Sequence, residues 1–549
     1  MSWEEELIHL YDKNTSQIGR IQLKSFQSSG KEEQIPYVLL PPFHTTVTAQ
    51  IQVTLSADGD FLGASKVESK DKLTMIPVTE KSASRTAGKA PHPLCDSLKY
   101  LAGDYGRYVR DTNGDAERCH KLYMEELKKW HCSSFSHEKV DAVWTYLEKG
   151  TLMQDLLREK VLQQNEEGHL DDAVKLEGVA QDSAFVRFLV RGRAGMRDGQ
   201  TSDACWKDSS LWDCFIRYYQ SMEGIKDLDY LTGERQPPSY LHSKKIRNEG
   251  DGAKLISSND EANFTFPGRF ATKEQAFAIG IETSQKLHNA LKWIIRKQGR
   301  SFDTLTMVTW ESDLKEMPPW DADTETIASA AFPETLPEAA GEEFQDPFQD
   351  DLPDGWEEEP EETAVPDENP MTARQFYSAL AGYRKQVENP SHMILLAFDA
   401  ATTGRLSLAE FKTLDTARYL ENIQKWHEQC GWIQWKYKDG HRKDFYGVPG
   451  LRDITELLYG AESNGRLLLA DKNGKRLCAE LGRRLLPCIW DNRELPYDLV
   501  AAAVNRASMP QAYKERHNWE RVLTLACSFV KKHRYEKEKE EWNVALDNE

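Results

Sequence analysis

Apolar and polar residues alternate along 47–55, and the apolar members of the pattern are Val47, Ala49, Ile51, Val53 and Leu55. This period of two predicts a β-strand with one buried face. Asp58 and Gly59 follow as a pair typical of a hairpin turn, and Phe61 and Leu62 predict the returning strand. We therefore expect an antiparallel sheet near the start of the chain.

Helical spacing of apolar residues begins after a long polar stretch. At 140–147, four apolar residues lie on one helical face. A longer helix is expected to begin near Thr272, where Gln275 completes a capping box, and to end near Gly299. Further strands are predicted at 185–190 and 305–310.

A strongly acidic segment divides the chain. Residues 321–370 are rich in Pro, Asp and Glu without an apolar period, which predicts a disordered linker. Apolar residues are again spaced for helices at 419–432 and 499–504. The patterns predict an α+β fold: a mixed N-terminal region with an antiparallel sheet at 1–320, the acidic linker, and a mainly helical C-terminal region at 371–549.

The net charge of -19 would by itself argue against a nucleic-acid partner. The distribution of the acidic residues along the chain changes this interpretation. Residues 321–370 hold 18 acidic residues and no Lys or Arg. Removing these 18 from the 89 acidic residues leaves 71, against 70 basic residues. Basic side chains elsewhere could therefore form local patches, sufficient for a subunit that shares DNA with its neighbours.

The sequence shows no sign of export or membrane insertion. There is no run of about 18 apolar residues, and the first residues, MSWEEELIHLYDKN, are acidic where a secretory signal is basic and then apolar. The nine cysteines are scattered without a CxxC pair, which fits reduced thiols. We expect a cytoplasmic protein with no membrane partner.

Small hydroxyl residues, glycine and positive charge are concentrated in PVTEKSASRTAGKAPHPLCDSLKYLAGDYG, at 77–106. This composition suits contact with a nucleic-acid backbone, because hydroxyls donate to phosphate oxygens, cations supply charge and Gly88 allows close approach. The candidate residues are Lys81, Ser82, Ser84, Arg85, Thr86 and Lys89. Ser84 or Thr86 could instead face base edges. A solvated loop with an incidental N-cap would have the same composition.

A second basic stretch, LTGERQPPSYLHSKKIRNEGDGAKLISSND, lies at 231–260. Its cluster of Lys244, Lys245 and Arg247 could also bind a nucleic-acid backbone, and Tyr240 offers a face for stacking. An ordinary exposed surface would show the same cluster.

Signatures of catalysis are absent from the sequence, which has no P-loop, nucleophile elbow or HExxH motif. The nearest metal-like group is Cys119, His120, His131 and Cys132. Adjacent residues on a helix point about 100° apart, so buried cysteines with surface histidines explain these pairs more simply. We expect no enzymatic activity, no metal and no cofactor.

The segment at 77–106 resembles the signature of the large subunit of the type I-C CRISPR effector (Cascade) complex. Two more segments, LTGERQPPSYLHSKKIRNEGDGAKLISSNDEANF and GRRLLPCIWDNRELPYDLVAAAVNRAS, resemble that family in the same order along the chain. The resemblance covers most of the chain. The chain departs from the family in the length of its acidic segment. It also departs at WNVALDNE, where family members continue into a helical region that can also be made as a small subunit.

The resemblance implies a non-catalytic subunit that recognises the protospacer-adjacent motif in double-stranded DNA, promotes R-loop formation and helps recruit the helicase-nuclease in antiviral defence. Base pairing with crRNA would supply the remaining specificity. The implied partners are target DNA, the crRNA-containing effector subunits and the helicase-nuclease. Either the chain is truncated or the small subunit is supplied separately. The alternative is a scaffold subunit, mainly for complex assembly and nuclease recruitment.

Overall fold

The structure of the protein is a computed structural model that describes residues 1–28, 31–83, 85, 90–110, 114–192, 202–222, 224, 226–248, 250–256, 279–329, 369–387, 390–402, 404–438, 441–469 and 471–547. The chain forms two compact units. Unit 1 comprises Met1–Gln298 and Ala400–Ser407, and unit 2 comprises Gly299–Asp399 and Leu408–Glu549.

The described part of unit 1 combines helices with small sheets. Its helices are α1 (Trp3–Lys13), α2 (Glu80–Ala83), α3 (Leu98–Leu101), α4 (Asp115–His131), α5 (Glu138–Leu147), α6 (Leu152–Arg158), α7 (Ser209–Gln220) and α8 (Ile281–Gln298). Its strands are β1 (Ile21–Ser28), β2 (Lys31–Val38), β3 (His44–Thr48), β4 (Ile51–Ser56), β5 (Phe61–Lys66), β6 (Leu73–Pro77), β7 (Lys175–Leu176), β8 (Val179–Ala180), β9 (Val186–Arg191), β10 (Asp227–Leu228) and β11 (Arg235–Gln236).

The core of unit 1 forms around β4. This strand buries Ile51, Val53 and Leu55 on one face and pairs with β5 antiparallel and with β9 parallel. Helix α5, which coincides with the helical pattern predicted at 140–147, packs against β4 and β9. The predicted hairpin of β4 and β5 is therefore present. The sheet is mixed because β9 pairs with β4 in parallel, which requires the long crossover connection between β5 and β9.

The single strand predicted at 47–55 is divided between two sheets. β3 pairs with β6, whereas β4 begins at Ile51 in the sheet with β5 and β9. At the junction, the Ala49 N–H donates to the Lys72 carbonyl, and the Gln50 N–H donates to the Phe185 carbonyl. The apolar alternation continues unbroken through this junction, so periodicity alone could not locate it.

Segment 39–43, which leads into β3, is held by helices α1 and α8. The Tyr11 hydroxyl and the Asn289 amide both donate to the carbonyl of Leu40, at 2.9 and 3.2 Å. Helix α8 ends one residue before Gly299, as predicted, but it begins at Ile281 and not near Thr272, because Ile279 and Gly280 before it are not helical and Gly280 pairs with Pro238. Thr272 itself lies outside the described residues. These contacts fix the backbone of Leu40 against both helices.

Unit 2 contains a sheet in the order β12-β13-β14-β15, shorter hairpins and several long helices. Its described strands are β12 (Arg300–Phe302), β13 (Leu305–Glu311), β14 (His392–Thr402), β15 (Arg405–Asp415), β16 (Trp432–Lys438), β17 (His441–Gly447), β18 (Ala461–Ser463) and β19 (Arg466–Leu468). The end of β14 and the start of β15 fall within Ala400–Ser407 and so belong to unit 1. Its described helices are α9 (Thr324–Ala328), α10 (Asn369–Gln386), α11 (Thr416–Gln429), α12 (Leu451–Tyr459), α13 (Asp471–Trp490), α14 (Tyr497–Ala507) and α15 (Arg516–Asp547).

Strand β14 is buried on both faces. Every residue from Met393 to Phe398 is at most 2% exposed, so the strand is a continuous apolar run without alternation. Helix α11 begins after Asp415, whose carboxylate accepts the Arg418 N–H, and buries Tyr419, Ile423 and Trp426 on one face. The sheet and this helix contribute to one apolar cluster with α12–α15.

Helices with small, mostly antiparallel sheets in unit 1, and helices towards the C-terminus, confirm the predicted α+β class. The structure describes only the ends of the predicted linker at 321–370. Its first part contains α9 and its last residues begin α10, while 330–368 lie outside the described residues.

His44, at the start of β3, predicts a loss of stability in acid. Burial lowers its pKa to about 4, although its hydrogen bond to the Pro42 carbonyl acts in the opposite direction. The folded pKa lies below the unfolded value of about 6.5. The stability that the neutral His44 ring contributes is therefore complete above pH 6.5 and is lost as the pH falls from there through about 4.

We expect His44→Asn to flatten the pH dependence of unfolding relative to the wild type, by about 2–3 kcal/mol between neutral pH and pH 4.5. Urea unfolding of both proteins at several pH values measures the difference. Parallel pH profiles would contradict this assignment to His44.

Candidate nucleic-acid interface

Helix α2 carries the first two predicted contact residues, Lys81 and Ser82. Ser82 is buried, and its hydroxyl accepts the Thr79 N–H at 3.0 Å while the Thr79 hydroxyl accepts the Ser82 N–H at 3.1 Å. This reciprocal cap holds the start of the helix. Lys81 is exposed on the same turn. The structure thus gives Ser82 a capping role and leaves Lys81 at the surface.

Arg85 is held by a buried carboxylate. Its two terminal nitrogens donate to the two oxygens of Asp96, each at 2.9 Å, and one of them also donates to the Ala90 carbonyl at 3.0 Å. Asp96 is fully buried and also accepts the His92 and Ser97 N–H groups. The guanidinium therefore closes the loop between residues 85 and 96. The predicted contacts Ser84, Thr86 and Lys89 lie outside the described residues.

The second predicted segment is held against helix α8. Arg296 donates to the Ile246 carbonyl at 3.1 Å, and Lys292 donates to the Ser243 hydroxyl at 3.2 Å. Lys245 is exposed and has φ of +60°, a left-handed conformation that costs a non-glycine residue about 1–2 kcal/mol. The helix thus fixes the direction in which this loop presents Lys244 and Lys245.

Arg247, the third predicted cation of this segment, makes a bidentate contact with Asp251. Its Nε and Nη2 donate to the two carboxylate oxygens at 2.9 and 3.1 Å. Burial alone would raise the pKa of Asp251, but hydrogen bonds from Arg247 and from the Ala253 N–H hold it below its ordinary value. This pair closes the loop in the same way that Arg85 and Asp96 close the first one.

Glu80 joins the two predicted segments. One oxygen of its carboxylate accepts the Ser239 hydroxyl at 3.0 Å, the Tyr240 N–H at 3.1 Å and the Leu241 N–H at 2.8 Å. Hydrogen bonds to a charged acceptor are about twice as strong as neutral ones. Glu80 of the first segment therefore anchors the loop that leads to Lys244.

Lys244 and Lys254 lie close enough to interact. Burial, and after it the positive charge of Lys244, lower the pKa of Lys254, while the carboxylate of Glu80 acts in the opposite direction. The Lys254 backbone is fixed by the Gly404 carbonyl and the Leu406 N–H, at 3.1 and 2.9 Å. Two cations that the fold holds close together repel each other, and an anion placed between them reduces this repulsion. We call Lys81, Lys244 and Lys254 with Glu80 the basic surface.

A groove of about 820 Å³ adjoins this region through Lys245. One part of its lining carries hydroxyls and cations, namely Thr45, Thr46, Thr48, Lys70, Lys72, Lys292 and Arg296. The acidic Asp71 also lines the groove, but the buried Arg187 pairs with its carboxylate at 2.8 Å. The lining is thus suited to phosphate groups.

Apart from Lys245, the cationic and hydroxyl residues of this groove were not predicted from the sequence. Lys292 and Arg296 are spaced four apart on α8 and so share one helical face, a signal that was visible in the sequence. The threonines of β3 could not be found in this way, because their position in a groove depends on pairing with β6.

The Cys119, His120, His131 and Cys132 group is dispersed around helix α4. Cys119 is buried and Cys132 is exposed. The ring of His120 contacts the Tyr100 carbonyl, and the ring of His131 contacts Asp141. Within the described ranges, no three His, Cys, Asp or Glu side chains are grouped to hold a metal ion.

A family model described as "CRISPR-associated protein (Cas_Csd1)" matches residues 24–549. No curated protein matches the chain. None of the helices in the part of the chain that the structure describes is long and apolar enough to cross a membrane.

Proposed function

This chain belongs to the Cas_Csd1 family of CRISPR-associated proteins, and from that premise we propose that it is the non-catalytic large subunit of a type I-C RNA-guided surveillance complex. In this proposal it recognises the protospacer-adjacent motif in double-stranded DNA, promotes R-loop formation and helps recruit the helicase-nuclease. The other effector subunits and their crRNA are its partners.

The observation that carries the proposal is the basic surface of unit 1. Glu80 ties the two basic segments together, and Lys244 and Lys254 lie close enough for one to lower the pKa of the other. Keeping like charges together costs free energy, so such an arrangement favours an anionic ligand. The phosphodiester backbone of DNA is the anion that fits a CRISPR-associated protein.

Phosphate contacts would position the duplex, while base contacts would read the motif. In this division Lys81, Lys244 and Lys254 hold the backbone, and the groove lined by Thr45, Lys292 and similar residues extends the cationic path. Arg85 and Arg247 act indirectly, since their guanidinium groups hold Asp96 and Asp251 and so fix the loops. Guide pairing would then supply the remaining sequence specificity.

We expect the double variant Lys244→Gln/Lys254→Gln to weaken binding of the crRNA-loaded complex to target duplex about 10- to 100-fold at low salt. The slope of log affinity against log salt should fall by about two, one for each lost phosphate contact. Filter binding or fluorescence anisotropy over a salt series measures both quantities.

Lys121→Gln/Lys128→Gln is the matched control, since it removes the same charge from two exposed lysines of helix α4. Its salt slope should stay that of the wild type. An unchanged slope in the Lys244/Lys254 variant would remove these residues from the DNA site. If motif discrimination persists in complexes lacking the whole chain, and only target degradation is lost, the chain is chiefly a scaffold for assembly and nuclease recruitment.

A further inference from the structure

Unit 2 contains a groove of about 1100 Å³ along helix α15. Helices α11 and α14 contribute to its lining, together with Tyr377 from α10 and residues from β16 and β17. Its large apolar or aromatic residues include Tyr377, Trp432, Val504, Leu523, Val530 and Tyr535. The groove lies wholly within unit 2.

The apolar side chains of this groove are unusually exposed. Tyr535 is 49% exposed, Tyr377 42% and Trp432 38%, and Val504 and Leu523 are each 37% exposed. Single exposed apolar residues are common, but a contiguous group of this size marks a binding surface. Elongated apolar grooves between helices are typical docking places for short peptide segments.

The groove carries three cationic side chains, Lys425, Lys531 and Arg534, against two acidic ones, Glu428 and Glu538. The Glu428 carboxylate already accepts hydrogen bonds from the Tyr377 hydroxyl and the Gln424 amide. Lys531 donates to the carbonyls of Glu428 and Gly431 and to the Tyr446 hydroxyl, at 3.2, 3.0 and 2.9 Å, all neutral acceptors. Arg534 and Lys425 are each 3.9 Å from a carboxylate of their own helix, a distance at which attraction between exposed charges is weak. An occupant should therefore combine aromatic or apolar anchors with negative charge.

The segment between α9 and α10 has this composition. Residues 330–368 contain 15 acidic residues, no Lys or Arg, and the aromatic residues Phe332, Phe344, Phe348 and Trp356. The segment ends at Asn369, where α10 begins, and Tyr377 of that helix lines the groove about 12 Å further along the axis. Trp356 is 13 residues before Asn369, a stretch that spans up to about 45 Å.

We propose that residues 330–368 bind in the groove along α15, with Phe344, Phe348 and Trp356 as apolar anchors and the acidic residues facing Lys425, Lys531 and Arg534. Tethering at Asn369 makes the binding intramolecular, so that the local concentration of the segment is about millimolar. Modest intrinsic affinity then suffices for high occupancy. The proposal is independent of the DNA-binding function proposed for unit 1.

Cys527 reports on occupancy because it lines the groove, while the exposed Cys132 of unit 1 serves as an internal control. We would measure alkylation rates of both thiols by peptide mass spectrometry in the full chain at mildly alkaline pH. The test variant is Phe344→Ser/Phe348→Ser/Trp356→Ser. The matched control is Ala339→Ser/Ala340→Ser/Ala364→Ser, which places three serines in the same segment without removing an anchor.

If the groove is covered nine-tenths of the time, the test variant should alkylate Cys527 about tenfold faster, with Cys132 unchanged. High salt should accelerate the wild-type reaction in the same direction, because it screens the charge attraction. Equal Cys527 rates in the wild type, test variant and control would overturn the proposal. A wild-type rate that falls as protein concentration rises would also overturn it, in favour of a second copy of the chain as the occupant.

Discussion

Replacing Asp96 with Ala is expected to destabilise unit 1 by about 3–5 kcal/mol, because it leaves the Arg85 guanidinium without its buried counter-charge. Asp96 is fully buried and accepts hydrogen bonds from Arg85, His92 and Ser97. Each buried donor left without an acceptor adds a desolvation cost of about 1–3 kcal/mol. Urea unfolding combined with hydrogen exchange of peptides from 90–101 would measure the loss and locate it.

The double variant Arg85→Met/Asp96→Ala is the control for this result. Removing both partners takes away the uncompensated charge, so the double variant should lose less stability than the sum of the single variants. A loss below about 1 kcal/mol in Asp96→Ala would show that the loop can rearrange without the pair. The same variants would show whether loop position, rather than the Arg85 charge itself, supports DNA binding.

Replacing Glu80 with Ala is expected to weaken DNA binding by the assembled complex about tenfold or more, although it removes a negative charge from a basic surface. Simple electrostatics predicts the opposite, since one fewer negative charge should favour a polyanion. The loss of loop position outweighs the loss of charge, because the Glu80 carboxylate fixes Ser239, Tyr240 and Leu241 through three hydrogen bonds. Losing these charge-assisted bonds frees the loop that presents Lys244.

Glu234→Ala provides the comparison, because Glu234 is an exposed acidic residue of the second basic segment, the one that Glu80 anchors. It removes the same charge and should leave affinity unchanged or slightly increased. Anisotropy titrations of both variants at one fixed salt concentration separate the two mechanisms. If Glu80→Ala binds DNA as tightly as Glu234→Ala does, the position of the Lys244 loop does not matter for binding.

The sequence predicted elements well where periodicity and local signals agree. The strands at 185–190 and 305–310 correspond to β9 and β13, and the helix ending near Gly299 corresponds to α8. The division at Ala49 and Gln50 was missed because the hydrogen-bond partners there, Lys72 and Phe185, are distant in sequence. Pairing between distant strands is not encoded in a local pattern.

The candidate site shows the same limit. Composition identified two basic segments, but the residues that join them do so across long sequence separations, as between Glu80 and Tyr240. Arg85 and Ser82 were predicted to face phosphate, whereas the structure gives each an internal partner, Asp96 and Thr79. Residue type indicates what a side chain can bind, and only the fold determines which partner it reaches.

The pairing of the Lys254 backbone with Gly404 and Leu406 also sets an order of events during synthesis of the protein. Unit 1 is discontinuous in sequence and includes Ala400–Ser407. The ribosome must therefore add about 150 residues after Lys254 before the Lys254 backbone can pair with Gly404 and Leu406. At about 5–20 residues per second, the delay is on the order of 10–30 s. The nascent chain would therefore acquire its finished basic surface only after most of it has been translated.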